Sequence, residues 1–156
     1  MGQSKTPPVM KSSARLLAVQ AVYSLFTDQK SAADLLPDYL AHYAGMEVDG
    51  ETMVKPDQAL FQSILEGVER DCSDLEAVIN EASGEGKKLS RDKEPLLLAV
   101  LLCGSYELKN HYDIDIAIII SDYVDVAKAF FDQNEDKLVN AVLDKIAQPL
   151  RPKKSS

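Results

Sequence analysis

Apolar residues recur at helical spacing along most of the chain, and this pattern predicts six or seven helices. The first helix follows a polar segment in which Ser12 or Ser13 can be the cap, because a side-chain oxygen there accepts from unpaired backbone N–H groups. The apolar positions of this helix are Leu16, Val19, Tyr23 and Phe26. We expect it to end near Asp28.

The second predicted helix follows Ser31, whose side chain can form a capping box with Asp34. Pro37 moves the expected start closer to Leu36, because a proline inside a helix removes a backbone hydrogen bond. Residues 45–55 then break the apolar spacing, so we expect a loop there.

A third apolar segment spans residues 57–82 and follows Pro56, a residue that fits the first turn of a helix. Either one bent helix or two short ones covers it, since Ser73 and Glu76 can form a second capping box. Residues 83–88 interrupt the pattern. We expect a boundary between two halves of the chain at this point.

Residues 91–109 are apolar on nearly every side of a helix, which is typical of a buried central helix. Pro95 is compatible with this helix only in its first turn. The apolar positions are Leu96, Leu97, Leu98, Val100, Leu101, Leu102, Tyr106 and Leu108. We expect the two halves of the chain to meet along this segment.

The next segment, residues 116–120, reads Ile-Ala-Ile-Ile-Ile, a β-branched run that alone favours a strand. The apolar positions nevertheless keep a helical period for about four turns, as far as Phe131, and no partner strand is indicated nearby. We therefore predict a helix, with Asp113 or Asp115 as its cap.

The last predicted helix follows Asn134, has two acidic residues in its first turn, where they suit the helix dipole, and ends at Pro149. The fold class is therefore all-α, a helical bundle of two small three-helix subdomains. The expected organisation is a flexible arm over 1–10, a helical domain over 11–152 with possible halves 11–83 and 90–148, and a basic tail over 153–156.

The net charge of −8 is unevenly spread along the chain. Residues 1–27 hold three basic residues and no acid, and residues 145–156 hold four basic residues and no acid. The segment between them holds the other 10 basic residues and all 25 acids, a charge of −15. The ends are either simply solvated, or they meet an anion while the acidic body meets something else.

Residue patterns for catalysis are missing from the sequence. Cys72 and Cys103 lie 31 positions apart without a metal-binding spacing, which favours reduced, buried thiols. Neither His42 nor His111 follows a known nucleophile pattern, and no phosphate-binding or metalloprotease motif occurs. The longest apolar run, 96–103, is far below the ~18 residues of a membrane span. We predict no enzyme, no cofactor, no metal and a cytoplasmic protein.

A group of aspartates near the predicted fifth helix could suggest a cation site. These residues are Asp113, Asp115, Asp122 and Asp125. A calcium loop needs its oxygen ligands at alternating positions within one loop, whereas predicted helix interrupts this group. A solvated or partner-facing side of the helix is the favoured interpretation.

Several segments resemble the NusB family of transcription antitermination factors. Residues 14–23 read ARLLAVQAVY, like the first helix of that family. The similarity continues with SYEL at 105–108 and VAKAF at 126–130, and it closes with KLVNAVLDK at 137–145. The order and spacing match along roughly residues 11–152, and the closing segment is the most specific.

The resemblance implies an all-helical fold of two small bundles and a role in transcription antitermination, especially of ribosomal RNA operons. In that family the protein pairs with a small-subunit ribosomal protein, the pair binds the boxA RNA element, and RNA polymerase is reached indirectly. The implied RNA-binding residues are Lys11, Ser12, Ser13, Arg15 and Gln20. The implied partner-binding residues are Tyr106, Glu107, Asn134 and Glu135.

Two positions depart from the family pattern in a way that concerns RNA. Ser12 and Ser13 stand where arginines are usual, and a hydroxyl can bond to phosphate but adds no charge. This departure and the net charge of −8 leave a second interpretation open: a protein–protein adaptor with the same fold and weak or lost RNA binding. Self-association into a homodimer is also left open.

Overall fold

A computed structural model describes residues 7–43, 47–48, 51–52, 56–84 and 89–150. Within these residues the chain forms six helices and one pair of two-residue strands. The helices are α1 (Pro8–Thr27), α2 (Ala32–Tyr43), α3 (Gln58–Ser83), α4 (Pro95–Asn110), α5 (Ile116–Phe130) and α6 (Glu135–Leu150). The strands are β1 (Glu47–Val48) and β2 (Glu51–Thr52). The prediction of an all-α fold is confirmed.

Helix α1 begins earlier than its predicted cap. Pro7 holds the N-cap position and Pro8 begins the helix, so Ser12 and Ser13 lie inside it and the predicted serine cap is wrong. A proline suits this first position because its missing N–H would have no partner there. The predicted end is confirmed, since the Asp28 N–H donates to the Ser24 carbonyl at 2.9 Å.

The two expected chain ends fall largely outside the described residues. The helix already includes residues 8–10 of the expected arm, whereas residues 1–6 lie outside the described part of the chain. The expected basic tail, 153–156, lies outside it entirely, as does most of the expected boundary segment 83–88.

The capping box of α2 is confirmed. The Asp34 N–H donates to Ser31 Oγ at 3.2 Å, and the Ser31 N–H donates to Asp34 Oδ2 at 3.3 Å. The later start near Leu36 is wrong, because α2 contains Pro37 within it. Within the predicted loop 45–55, β1 and β2 pair antiparallel over the described positions.

Helix α3 is one continuous helix of 26 residues. Its cap is Asp57, whose Oδ1 accepts from the Leu60 N–H at 3.0 Å, and Pro56 therefore precedes the helix instead of lying in its first turn. Ser73 and Glu76 lie in the middle of the helix, so the second capping box is wrong. Unbroken backbone hydrogen bonding between residues 57 and 84 leaves no unpaired N–H groups for them to cap.

Helix α4 is the buried centre of the bundle, as predicted. Every residue from Leu97 to Leu108 is buried, and Pro95 occupies the first turn. Helix α4 packs against α1, α3, α5 and α6. One continuous core is therefore shared by both halves of the chain.

The β-branched run at the start of α5 is helical, as predicted. Ile119 and Ile120 are buried, and their burial outweighs a weak local preference for strand. Asp115 holds the N-cap position with extended backbone, but its side chain accepts no capping hydrogen bond.

In α6 the Asn134 carbonyl accepts the first helical bonds, and the helix passes Pro149 by one residue instead of ending there.

Candidate functional site

The five predicted RNA-binding residues all lie on α1, but they do not share one side of it. Lys11, Ser12 and Ser13 are half-buried in its first turns, and Gln20 is half-buried further along. Arg15 is buried, with 1% of its surface exposed. Four of these side chains are therefore partly accessible to solvent, and the fifth lies inside the protein.

The outward stripe of α1 consists of Ser13, Leu16, Gln20 and Tyr23, which follow one another at intervals of three or four residues. None of these four residues is buried, and Tyr23 is exposed at 37%. The opposite side of the helix is buried in the core through Ala14, Ala18, Val19 and Val22.

Arg15 lies on the inward side of α1, where two carboxylates hold its guanidinium. Its Nε and Nη2 donate to the two carboxylate oxygens of Glu107 on α4, at 2.7 and 3.0 Å. Its Nη1 donates to Asp122 Oδ2 on α5 at 2.5 Å. Glu107 is fully buried and the Asp122 side chain is 20% exposed, so the charge of Arg15 is neutralised inside the bundle.

Tyr123 and Ser12 complete this ion cluster, which is defined by Ser12, Arg15, Glu107, Asp122 and Tyr123. The Tyr123 hydroxyl donates to Glu107 Oε1 at 2.7 Å. The Ser12 hydroxyl lies 2.8 and 3.0 Å from the two carboxylate oxygens of Asp122 and donates to them. The cluster joins α1, α4 and α5 and contains one cation and two carboxylates, a formal charge of −1.

Burial and neighbouring charge determine ionisation in this cluster. Burial, and next the charge of Glu107, raise the pKa of Tyr123 well above its ordinary value, so its hydroxyl remains a donor at neutral pH. Burial alone would lower the pKa of Arg15, but the hydrogen bond and charge of Glu107 raise it above its ordinary value. Arg15 therefore remains a cation across the physiological pH range.

Tyr106 and Glu107, two of the predicted partner-binding residues, are buried in α4. Tyr106 packs against α3: its hydroxyl lies 3.2 Å from Ser63 Oγ, which in turn lies 3.0 Å from His111 Nε2. A Cβ atom on Gly67 would come within 2.1 Å of the Tyr106 ring, so a glycine is needed for this close approach. Neither Tyr106 nor Glu107 offers a surface to a second protein in this structure.

The other two predicted partner-binding residues, Asn134 and Glu135, lie at the start of α6. Asn134 is exposed, and Glu135 Oε1 accepts from the Gln133 N–H at 3.2 Å. Glu135 lines a cleft of about 280 Å³ together with Tyr23, Leu96 and Phe131. The structure therefore brings Glu135 next to the end of the outward stripe of α1.

A larger groove of about 1030 Å³ separates α5 from α6, and none of the predicted site residues lines it. Its floor is apolar, with Ile116, Ile120 and Val124 from α5. Charges of both signs surround the floor, including Lys128 and Asp144.

Asp122 is the functional residue that the sequence assigned to the wrong role. The aspartates of its segment suggested a solvated or partner-facing helix side, yet Asp122 binds Arg15 and Ser12. One sequence signal was available: Arg15 lies three, four and seven residues before the apolar Ala18, Val19 and Val22. That spacing places it on their side of the helix, and a buried arginine requires a carboxylate partner.

Metal ligation and membrane insertion have no candidate residues within the described ranges. No group of three or more His, Cys, Asp or Glu side chains there is arranged to hold a metal ion. No helix among the same residues is long and apolar enough to cross a membrane.

The comparisons with known proteins agree with this architecture. The sequence profile of the NusB family matches residues 12–148. A protein of Rhizobium johnstonii named transcription antitermination protein NusB is 42% identical over 146 residues, which cover 92% of this chain and 91% of that protein. A protein of Agrobacterium fabrum with the same name is 39% identical over 148 residues, covering 95% of this chain and 89% of that protein.

A solved structure of NusB from T. maritima superposes with a TM-score of 0.71 at 22% sequence identity, over 96% of each chain. At that identity the likeness shows the fold alone. The family profile covers most of the chain, and the rhizobial relatives align along nearly their full length. Together with the six-helix bundle, these matches show that the chain belongs to the NusB family.

Proposed function

We propose that this transcription antitermination factor binds boxA-type single-stranded RNA through Lys11 in the first turn of α1 and through the outward stripe of the same helix, together with a small-subunit ribosomal protein that docks at the Glu135 cleft. The pair would promote complete transcription of ribosomal RNA operons. The observation that carries the proposal is Tyr23, which ends the outward stripe and also lines the cleft. RNA and partner would therefore meet on one continuous surface.

The RNA half of the proposal rests on the polar residues at the start of α1. Lys11 supplies a cation near the helix N-terminus, whose dipole favours negative charge, and the first turn contains no acid. Gln20 offers hydrogen-bonding groups, and Tyr23 offers a ring on which an unpaired base can stack. Arg15 acts as a positioning residue that fixes α1, because its charge is already paired.

The partner half rests on the chemistry of the cleft beside α6. The Tyr23 ring lies in the cleft with the Glu94 and Glu135 carboxylates, which outnumber the one cation of the lining, Lys93. Ribosomal proteins are typically basic, so acidic groups around an aromatic anchor favour association with one. Buried Glu107 supports this surface only indirectly, through α4.

Fluorescence anisotropy of a labelled boxA-like RNA, with and without the ribosomal protein and across a salt series, tests both halves. Lys11→Ala is expected to weaken RNA binding and to reduce the slope of log K against log salt by about 0.7, the value for one lost phosphate contact to a single strand. Lys128→Ala, which removes the same charge from the α5–α6 groove, is the matched control and should leave both quantities unchanged.

Glu135→Lys tests the partner half separately. We expect it to weaken binding of the ribosomal protein, while the binding of RNA by the chain alone stays the same or tightens. Equal loss of RNA and partner binding in this variant would contradict a divided surface.

The ion cluster favours a second candidate, an adaptor with weak or lost RNA binding. Arg15 is neutralised and Ser12 is bound to Asp122, so two of the five predicted RNA-binding residues are engaged internally. Weak, sequence-blind RNA binding beside tight partner binding would establish this candidate. For either candidate we propose a cytoplasmic protein without a catalytic step or a cofactor. A homodimer would be detected by sedimentation of the same samples.

A further inference from the structure

A cavity of about 380 Å³ opens between the second half of α3, the second half of α4 and the end of α6. Its walls are largely aliphatic, with Leu75 and Val78 from α3 and Ile146 and Leu150 from α6. Val78 is exposed at 36%. None of the described residues that line this α3–α4–α6 cavity belongs to α1 or α5, so it is separate from the outward stripe and from the Glu135 cleft.

A buried hydroxyl without a partner lines the same cavity. Ser105 on α4 is 1% exposed, and its Oγ makes no hydrogen bond within the described part of the chain. A serine inside a helix commonly bonds to the carbonyl four residues earlier, and this one does not. Because an unsatisfied buried hydroxyl costs free energy, an acceptor entering the cavity would gain a hydrogen bond there.

The charges around the cavity are positive overall. Lys109, one turn after Ser105, and Lys145 on α6 both line it, against a single acid, Glu81. The end of the sequence is also positively charged, since residues 145–156 contain four basic residues and no acid. In a chain with a net charge of −8, this end of the bundle is therefore the part suited to an anionic partner.

The wall chemistry distinguishes between kinds of anion. Single-stranded RNA is usually held by stacking on aromatic rings or guanidinium groups, and among the described residues neither type lines the cavity. Aliphatic walls around Leu75 and Ile146 instead suit an aliphatic side chain, and the volume lies in the range of small binding sites. A protein segment with leucine-like and acidic residues satisfies all three features.

We propose that the α3–α4–α6 cavity docks an acidic amphipathic segment of a second protein. An aliphatic side chain would enter between Leu75 and Ile146, a carboxylate would lie between Lys109 and Lys145, and a carbonyl would accept from the Ser105 hydroxyl. This site is additional to the RNA and ribosomal-protein surfaces and does not depend on them.

The first test is an amide-shift titration of the full ¹⁵N-labelled chain with a blocked peptide, Glu-Leu-Leu-Asp-Glu, and a matched basic peptide, Lys-Leu-Leu-Lys-Lys. We expect the acidic peptide to shift the amides of residues 75–82, 105–109 and 145–150, and the basic peptide to shift none of them. Equal responses to the two peptides, shifts concentrated elsewhere, or no shifts through a millimolar titration would overturn the proposal.

Variants then assign the binding to the cavity. Ser105→Leu fills it, and Lys109→Glu combined with Lys145→Glu reverses its charge at exposed positions that do not support the core. Each variant is expected to lower the affinity for the acidic peptide by about tenfold or more. Lys128→Glu, the same charge change in the α5–α6 groove, should have no effect. Wild-type affinity in the folded double-lysine variant would overturn the proposal, whatever the folding of Ser105→Leu.

Two further measurements separate this cavity from a purely structural defect and from the proposed RNA surface. Ser105→Ala should raise the melting temperature, because a buried unsatisfied hydroxyl is removed. The same substitution should lower the affinity for the acidic peptide. Lys11→Ala should leave the peptide titration unchanged.

An oligouridine that bound the cavity more tightly than the peptide, and lost binding in the double-lysine variant, would replace the protein segment with RNA and overturn the proposal.

Discussion

The two sides of α1 meet opposite environments. Tyr23 on the outward stripe is exposed, whereas Arg15 on the inward side is enclosed by Glu107 and Asp122. Lys11 lies one turn before Arg15 on that same side and is only half-buried, because it belongs to the first turn of the helix. Ser12, the next residue after Lys11, is bound to Asp122. A basic residue near the start of this helix is therefore not by itself a contact for RNA phosphate.

The largest expected effect is on the inward side. Arg15→Ala leaves two carboxylates facing each other without their cation, and removing one partner of a buried ion pair typically costs ~3–5 kcal/mol. We expect the midpoint of urea unfolding to shift to a much lower urea concentration. A variant that unfolded at the wild-type concentration would show that the cluster does not hold the three helices together.

Tyr123→Phe removes a single donor from Glu107 and should have a smaller effect. A buried acceptor that loses one hydrogen bond costs about 1–3 kcal/mol, measured by the same urea unfolding. Tyr23→Phe, the same change on the exposed outward stripe, is the matched control and should change stability little. Equal effects of the two substitutions would remove the distinction between the sides.

Alkaline pH probes the inward side without a mutation. Unfolded tyrosine ionises near its ordinary pKa of 10.0, whereas the pKa of folded Tyr123 is well above that because of burial and Glu107. The unfolded state therefore loses the proton first, and stability falls as the pH rises above 10. The Cys103 thiol, whose pKa burial also raises from 9.0, acts in the same direction. Melting temperatures of the wild type and of Tyr123→Phe should converge at high pH.

Ser12→Ala removes a hydrogen bond from the partly exposed Asp122 and is expected to cost about 0.5–1.5 kcal/mol, from thermal unfolding. Ser121→Ala, an exposed serine on α5, is its control. A cost no greater than that of the control would mean that Ser12 is available to RNA.

The smallest effect on stability is expected for Lys11→Ala, within about 0.5 kcal/mol, because this side chain makes no ion pair within the described residues. Its RNA affinity should fall nevertheless. A large loss of stability in Lys11→Ala would show that the first turn of α1 is structural as well.

Local pattern predicted most of the helices, and it failed where a boundary depends on more than local residues. The sequence correctly predicted the Ser31–Asp34 capping box and the helical start of α5, because spacing and capping act within a few residues. The serine cap of α1 and the second capping box, within α3, were wrong. In both cases a local signal was present, but packing of the surrounding segment favoured a continuous helix.

The sequence by itself determined the helical bundle, the central position of α4 and, through its resemblance, the family. Only the tertiary structure decided which charges are available at the surface. Arg15 pairs with Glu107 and Asp122, which lie 92 and 107 positions further along the sequence. Ser105 faces a cavity formed by three helices. The physical reason is that burial and pairing depend on which side of a helix meets its neighbours, and spacing along one helix shows that side without showing what lies opposite.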